Sequence, residues 1–380
     1  MVIDLEKIKK SQETVKSNVF GDWLKTIRAN KFFLSRITSK DKIFFVQNLQ
    51  VMIKSGLPLD RSLRTLAEQT RNQQFKKVIG DLASGTEKGV AFADSLKKQS
   101  AVFGGLFVSM VEAGEASGRL EDVLKELYLQ IKKLHELKTK IIAAMIYPLI
   151  VVTAMVGIGI GMMIFVVPKI TSLFEQMKAQ LPLATRVLIK VSNFVVENGI
   201  LTFIAALLLV AAVAFSLKWE PSKRYWHALF LKLPVFGPIV KKVNLAKFAR
   251  TLSSLIKTDI AIVKSFEITA QVLGNRLYRS SLLDSAPALK EGVSLTEVLK
   301  KHPALYPPVI VQMTAAGEET GSVDEVLGEM AGFYEDEVDQ IMKTLPSIIE
   351  PLLILVLGAA VGVMAVAIIM PMYTLTQYIK

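Results

Sequence analysis

Residues 113–168 read AGEASGRLEDVLKELYLQIKKLHELKTKIIAAMIYPLIVVTAMVGIGIGMMIFVVP. A glycine-bearing corner leads into a segment with carboxylates at its start and lysines at its end, and residues 141–168 then carry no charge. As a helix, that uncharged run reaches ~42 Å, more than the ~30 Å hydrocarbon core of a bilayer. The same line recurs as residues 316–371, AGEETGSVDEVLGEMAGFYEDEVDQIMKTLPSIIEPLLILVLGAAVGVMAVAIIMP. Each copy therefore pairs a polar helical end with an apolar one.

Working outward, an offset of 203 residues aligns the chain with itself without a gap from about position 44 to 168. Phe45, Leu49 and Ile53 fall on Phe248, Leu252 and Ile256, Gly89 on Gly292, Lys140 on Lys343, Pro148 on Pro351, and Pro168 on Pro371. A coincidence would not hold its register over that length, so the chain is a duplicated unit. Each unit is a polar region followed by a membrane helix. Apolar residues recur at helical spacing in both copies, and no strand-like alternation is present. The expected fold is an all-α integral membrane protein with two tandem helical bundles of about six helices each and three transmembrane helices. Thr38 or Ser39 can cap the first helix, with Asp41 in its opening turn.

The expected division follows from these runs. Residues 1–37 form a basic N-terminal segment, 38–140 the first helical domain and 141–168 the first span. Residues 169–197 form an external loop, and 198–217, which have no counterpart in the repeat, are the return crossing. The second helical domain covers 218–343, the third span 344–372 and an external C-terminus 373–380. The return crossing lets both copies keep one orientation, so the repeats are parallel rather than inverted. Residues 1–140 hold 25 Lys/Arg and 218–343 hold 16, against four in 169–197. The positive-inside rule then places the N-terminus and both large domains in the cytoplasm. The first 40 residues lack the apolar core of a signal peptide.

Composition narrows the chemistry. The chain has 380 residues, 51% hydrophobic, a net charge of +12, three histidines and no cysteine. Disulfides, thiolate catalysis and Cys-ligated metals are excluded. His135, His227 and His302 lie far apart in sequence, so no metal or cofactor is expected. Gly-Lys occurs nowhere, which removes the P-loop signature, and no HExxH, GxSxG or EF-hand pattern is present. An enzyme is not expected. The net positive charge belongs to loops beside anionic lipid rather than to nucleic acid, because no basic patch is interleaved with aromatics.

Several residues invite a specific role, each with a plainer alternative. Gly114, Glu115, Gly118 and their counterparts Gly317, Glu318 and Gly321 form either a helix–turn–helix corner or a contact for a cytoplasmic partner. Pro148 and Pro351 lie just inside the membrane as kinks or as hinges, with Pro168 and Pro371 at the far boundary. Glu350 sits at the hydrocarbon edge, either facing water or serving a site. The pairs Gly157/Gly161 and Gly358/Gly362 permit close helix packing, within one chain or across a homodimer. The acidic run Glu335-Asp336-Glu337 with Asp339 reads as a solvated face or partner surface rather than a cation site. Phe20, Trp23, Leu24 and Ile27 form an apolar stripe beside Lys25, Arg28 and Lys31 that suits a membrane-surface helix, a helix docked on the first bundle or a partly ordered tail.

Residues 234–258, PVFGPIVKKVNLAKFARTLSSLIKT, and 313–339, MTAAGEETGSVDEVLGEMAGFYEDEVD, resemble the second repeat of a known family. Glu350-Pro351-Leu352 with Pro371 resembles its last span, and Lys140, Tyr147-Pro148 and Val166-Val167-Pro168 its first. The family is that of the inner-membrane platform proteins shared by type IV pilus and type II secretion machines. The resemblance covers roughly residues 38–380. It implies a non-enzymatic, three-span protein of the bacterial inner membrane, without cofactors, that forms a homodimer or higher oligomer. The implied partners are the cytoplasmic assembly ATPase, pilins, other inner-membrane components of the machine and the lipid bilayer. A short basic segment stands where many members carry a longer, Gly-containing one, which favours a pilus machine. Rival classes are a transporter, which would need several polar residues around broken membrane helices, and a helical-repeat receptor or scaffold.

Overall fold

The computed structural model describes residues 37–176, 183–234 and 236–378. The stripe of Phe20, Trp23, Leu24 and Ile27 lies outside them. In chain order the first copy comprises α1 (Ser39–Lys54), α2 (Leu59–Gln69), α3 (Gln73–Glu87), α4 (Phe92–Lys98), α5 (Ser100–Ala116) and α6 (Leu120–Gly161). A five-residue π turn, Met162–Val166, follows, and then α7 (Val167–Gln176), α8 (Leu183–Glu197), α9 (Gly199–Lys218) and α10 (Glu220–Lys232). The second copy is α11 (Phe236–Lys257), α12 (Ile262–Val272), α13 (Arg276–Lys290), α14 (Leu295–Lys300), α15 (Pro308–Thr320) and α16 (Val323–Tyr378). No strand occurs among the described residues.

The duplication persists to single residues. Helices α2 and α3 start and stop at the 203-residue offset from α12 and α13. The left-handed turns also correspond: Gly56 (φ +81°) with Asp259 (φ +60°), Gly89 with Gly292, and Gly118 with Gly321. Local chemistry sets the helix ends. Thr38 Oγ1 accepts the Asp41 N–H (3.2 Å) while Asp41 accepts the Thr38 N–H (2.8 Å), closing a capping box on α1. Asn72 and Ser294 accept the N–H three residues on and cap α3 and α14.

Each bundle buries an aromatic centre. Phe45, Phe75, Phe103 and Phe107 meet with centroids 4.6 to 6.4 Å apart. In the second copy Phe248 and Phe266 are joined by Tyr278 and Tyr306. Those two hydroxyls are satisfied: Tyr278 donates to the Leu305 carbonyl (2.8 Å), and Tyr306 pairs with Ser281 (3.0 Å). Burial raises both phenols well above their ordinary pKa. Truncating one of the fully buried Phe rings to Ala costs about 3–5 kcal/mol.

Among the described residues three helices are long and apolar enough to cross a membrane, Leu120–Ser172, Gly199–Leu217 and Val323–Val366. Two of them are therefore the last helices of the bundles, running without interruption into the apolar segments. The stretch 169–197 is helical where described, through the end of α7 and all of α8. The π turn has a local cause. Pro168 lacks an N–H, so the Met163 carbonyl five residues earlier has no backbone donor at that spacing. Ser192 of α8 supplies one through its hydroxyl, at 2.6 Å.

Candidate functional site

The feature with most functional content is the joint between the two bundles and the two long helices that leave it. It begins at the glycine corners. Gly118 (φ +70°) and Gly321 (φ +72°) take a left-handed conformation that other residues adopt only with strain. A Cβ on Gly114 would lie 2.8 Å from Val123, and one on Gly317 would lie 3.1 Å from the Val323 backbone. These glycines let α5 and α15 press against the first turns of α6 and α16. The Arg119 N–H donates to the Gly114 carbonyl (2.8 Å) and the Ser322 N–H to that of Gly317 (2.9 Å), closing both corners.

Both motif carboxylates turn inward. Glu115 accepts the N–H groups of Phe92 (2.7 Å) and Ala93 (2.8 Å). Glu318 accepts those of Leu295 (2.5 Å) and Thr296 (3.0 Å), with the Thr296 hydroxyl as a third donor. Each carboxylate thus caps the short fourth helix of its own bundle, whose first N–H groups have no intrahelical partner. The geometry is that of the structural alternative, and the neighbouring Ala116 and Glu319 are exposed.

From the corner to the membrane, α6 presents a polar seam to the second copy. Arg119 pairs with Asp259 (3.0 Å). Glu126 takes the Ser254 hydroxyl (2.9 Å) and Lys257 (3.3 Å). Fully buried Gln130 donates to Thr251 (2.9 Å) and accepts from Ser254 (3.2 Å). Lys133 reaches Glu335 (3.5 Å), which also takes the Arg250 guanidinium on two oxygens (2.8 and 3.0 Å). Lys140 and Lys343 both grip Asp339, at 2.7 and 2.8 Å, and Lys242 pairs with Glu337. Positions 126, 130, 133, 137 and 140 alternate spacings of four and three, the rhythm of a coiled-coil seam. Leu137 is the only apolar member and is buried in the core of the second bundle. Leu255 and Ile268 in turn complete the core of the first.

The acidic run is thereby reassigned. A solvated face or a partner surface was expected; Asp336 is exposed, yet the Glu335 side chain is only 14% exposed and Asp339 22%. Glu335, Glu337 and Asp339 join α16 to α6 and α11 of the same chain. Sequence periodicity hides this because the partners lie on other helices, Lys133 and Lys140 on α6 of the first copy and Lys242 and Arg250 on α11. Hydrogen bonds from Lys140 and then Lys343 hold the Asp339 carboxyl below its ordinary range, and Asp339 holds Lys343 above its own. Burial lowers Lys247, with Lys138 nearby adding to the shift.

At the membrane, α6 passes through Pro148, which is buried, and α16 through Pro351, which is exposed beside exposed Glu350. Pro168 follows the π turn, and the helix continues through the position of Pro371. Among the described residues, a Cβ on Gly157, Gly161, Gly358 or Gly362 would meet no atom within 4 Å, so no described group of this chain packs closely on the Cβ side of these glycines. Among the described residues no group of three His, Asp or Glu is placed to hold a metal.

Comparison with known proteins agrees with this duplication. The family model for the type II secretion system (T2SS), protein F, matches twice, over residues 45–168 and 248–371, at the same 203-residue separation. The type IV pilus assembly protein PilC of Myxococcus xanthus is 33% identical over 344 residues, covering 90% of this chain and 82% of that protein. The PilC of Thermus thermophilus is 35% identical over 338 residues (88% and 82%). The type II secretion system protein F of Aeromonas hydrophila is 32% identical over 358 residues (93% and 91%).

Proposed function

The chain belongs to the type II secretion system protein F family, and from that membership we propose that it is a non-enzymatic platform in a bacterial inner membrane. In this reading it serves a type IV pilus assembly machine and couples a cytoplasmic assembly ATPase to pilin extraction and filament growth. Both bundles lie in the cytoplasm. The observation that carries the reading is mechanical. Helices α6 and α16 each run unbroken from a bundle corner into an apolar span. They are clamped to one another by the Lys133–Glu335 and Lys140–Asp339 pairs just outside the membrane. A torque on either bundle therefore reaches both spans as rigid levers, and no bond chemistry is required of the chain.

Photocrosslinking tests the coupling. A photoreactive residue at exposed Ala116 or Glu319 leaves the Glu115 and Glu318 caps intact. Capture of the assembly ATPase from either position is the expected result. Capture of neither the ATPase nor pilins, in cells that express both, would remove the motor coupling and favour a passive scaffold. A second reading, a secretion platform, draws on the secretion relative, whose identity (32%) is close to that of the pilus relatives (33% and 35%). A deletion strain separates the two, because loss of surface pili supports the first and loss of secreted protein with intact pili supports the second.

A further inference from the structure

The second span, α9, ends at Lys218, and α10 starts at Glu220, so Trp219 alone separates them. The elbow is fixed on both sides. Toward the span, the Trp226 indole N–H donates to Ser216 Oγ (2.9 Å) and the Ser222 hydroxyl donates to the Ser216 carbonyl (2.7 Å). Toward the second bundle, the Arg276 N–H donates to His227 Nδ1 (3.0 Å). Helix α10 is therefore held at the membrane edge rather than swinging from the span. Its outer face exposes Arg224, Tyr225, Leu229 and Lys232, with Tyr225 80% exposed. An aromatic, an aliphatic and two cations on a helix that leaves a span are the composition of an interfacial helix.

Between α10 and the start of α13 lies a cleft of about 420 Å³ lined by Lys223, His227, Arg276, Arg279 and Ser280, with Leu283 at its side. Arg279 is anchored by its Nε–H to the Ala270 carbonyl (3.1 Å), which orients the rest of the guanidinium. Three cations and a hydroxyl around one cleft suit a phosphate diester, and apolar Leu283 beside them suits the start of an acyl chain. We propose that α10 lies in the headgroup layer on the bundle side of the membrane, and that this cleft binds the phosphate of an anionic glycerophospholipid. The inference needs α9 to be a span and is independent of which machine the chain serves. Bound lipid would fix the second bundle against the membrane at a point separate from the two levers.

The test uses the full chain in mild detergent, with native mass spectrometry reading adducts of dioleoylphosphatidylglycerol or dioleoylphosphatidylcholine. The anionic lipid is expected to be retained in excess. Lys223→Gln and Arg276→Gln are each expected to cut its adducts by about five-fold, leaving the zwitterionic lipid unchanged. The Arg276→Gln change keeps the backbone bond to His227, and Lys76→Gln/Lys77→Gln on α3 serves as the remote control. Equal retention of the two lipids, or unchanged anionic adducts in both cleft variants, overturns the proposal. Retention of inorganic phosphate adducts with no excess of the anionic lipid also overturns it, in favour of a soluble anion. If either variant loses helicity, the comparison of the two lipids on the unaltered chain still decides.

Discussion

Glu115 and Glu318 show how one residue type can answer two opposed expectations. A glutamate in a repeated polar motif could face a partner or a backbone, and here both face the first N–H groups of a short helix. A carboxylate accepting backbone N–H groups is worth about 2 kcal/mol in such a place. Glu115→Ala and Glu318→Ala should each lower the stability of their own bundle by roughly that amount. Hydrogen exchange should report it first at Phe92 and Ala93, or at Leu295 and Thr296. Unchanged protection there, with lost piliation, would return the motif to a partner-contact role. Asp339 allows a second prediction with a definite sign. Its carboxyl is held below the ordinary value near 4 by Lys140 and Lys343. The stabilisation it gives is thus fully present above about pH 4 and is lost as pH falls through the lowered value. Crosslinking between cysteines placed on α6 and α16 should weaken over that acid range in the parent chain and not in Asp339→Asn. Identical profiles would remove the ion pair from the clamp. The capping glutamates were legible as a motif but not as caps, because their acceptor role depends on a helix 23 residues earlier.

At the scale of elements, period and offset together made the six-helix plan readable, and α2 and α3 match α12 and α13 residue for residue in length. What stayed hidden was the seam of α6. Glu126, Gln130, Lys133 and Lys140 read as a polar face, and polar faces ordinarily meet water. Only the second copy supplies Thr251, Ser254, Glu335 and Asp339 to receive them. A polar seam of this kind fixes register more than it adds stability. The π turn was equally hidden, since Pro168 marks a lost donor but not the residue that compensates. Ser192→Ala should leave the Met163 carbonyl without its hydroxyl donor and lower the thermal midpoint of the solubilised chain, a cost of about 1 kcal/mol. Ser192→Thr should restore it, and an unchanged midpoint in the alanine variant would mean that water replaces the hydroxyl. The levers give a further expectation. Pro148→Ala combined with Pro351→Ala should insert normally and reduce filament assembly if the prolines act as hinges. Normal piliation would leave them as inert features of two continuous helices.

For the whole molecule, the duplication constrains topology more tightly than charge counting does. Two copies in the same orientation need an odd number of crossings from one apolar lever to the next, and α9 supplies the one that the repeat lacks. Corner, seam and clamp can then form between the copies, because both bundles lie on the same face. If α9 did not cross, the second bundle would face the opposite side, and Lys140 could not reach Asp339 at 2.7 Å. The helical hairpin of α7 and α8 would accordingly lie on the far side, together with the C-terminal end that follows the third span. The absence of cysteine makes this directly testable. Ser172→Cys on α7 should react with an impermeant thiol reagent added to intact cells, whereas Lys88→Cys and Lys290→Cys, on exposed corners of the two bundles, should react only after lysis. Labelling of Lys88→Cys but not Lys290→Cys from outside would separate the bundles across the membrane. It would also dissolve the joint on which the mechanical reading depends. Labelling of both from outside would keep the joint and invert the chain, placing the levers where no cytoplasmic motor could drive them.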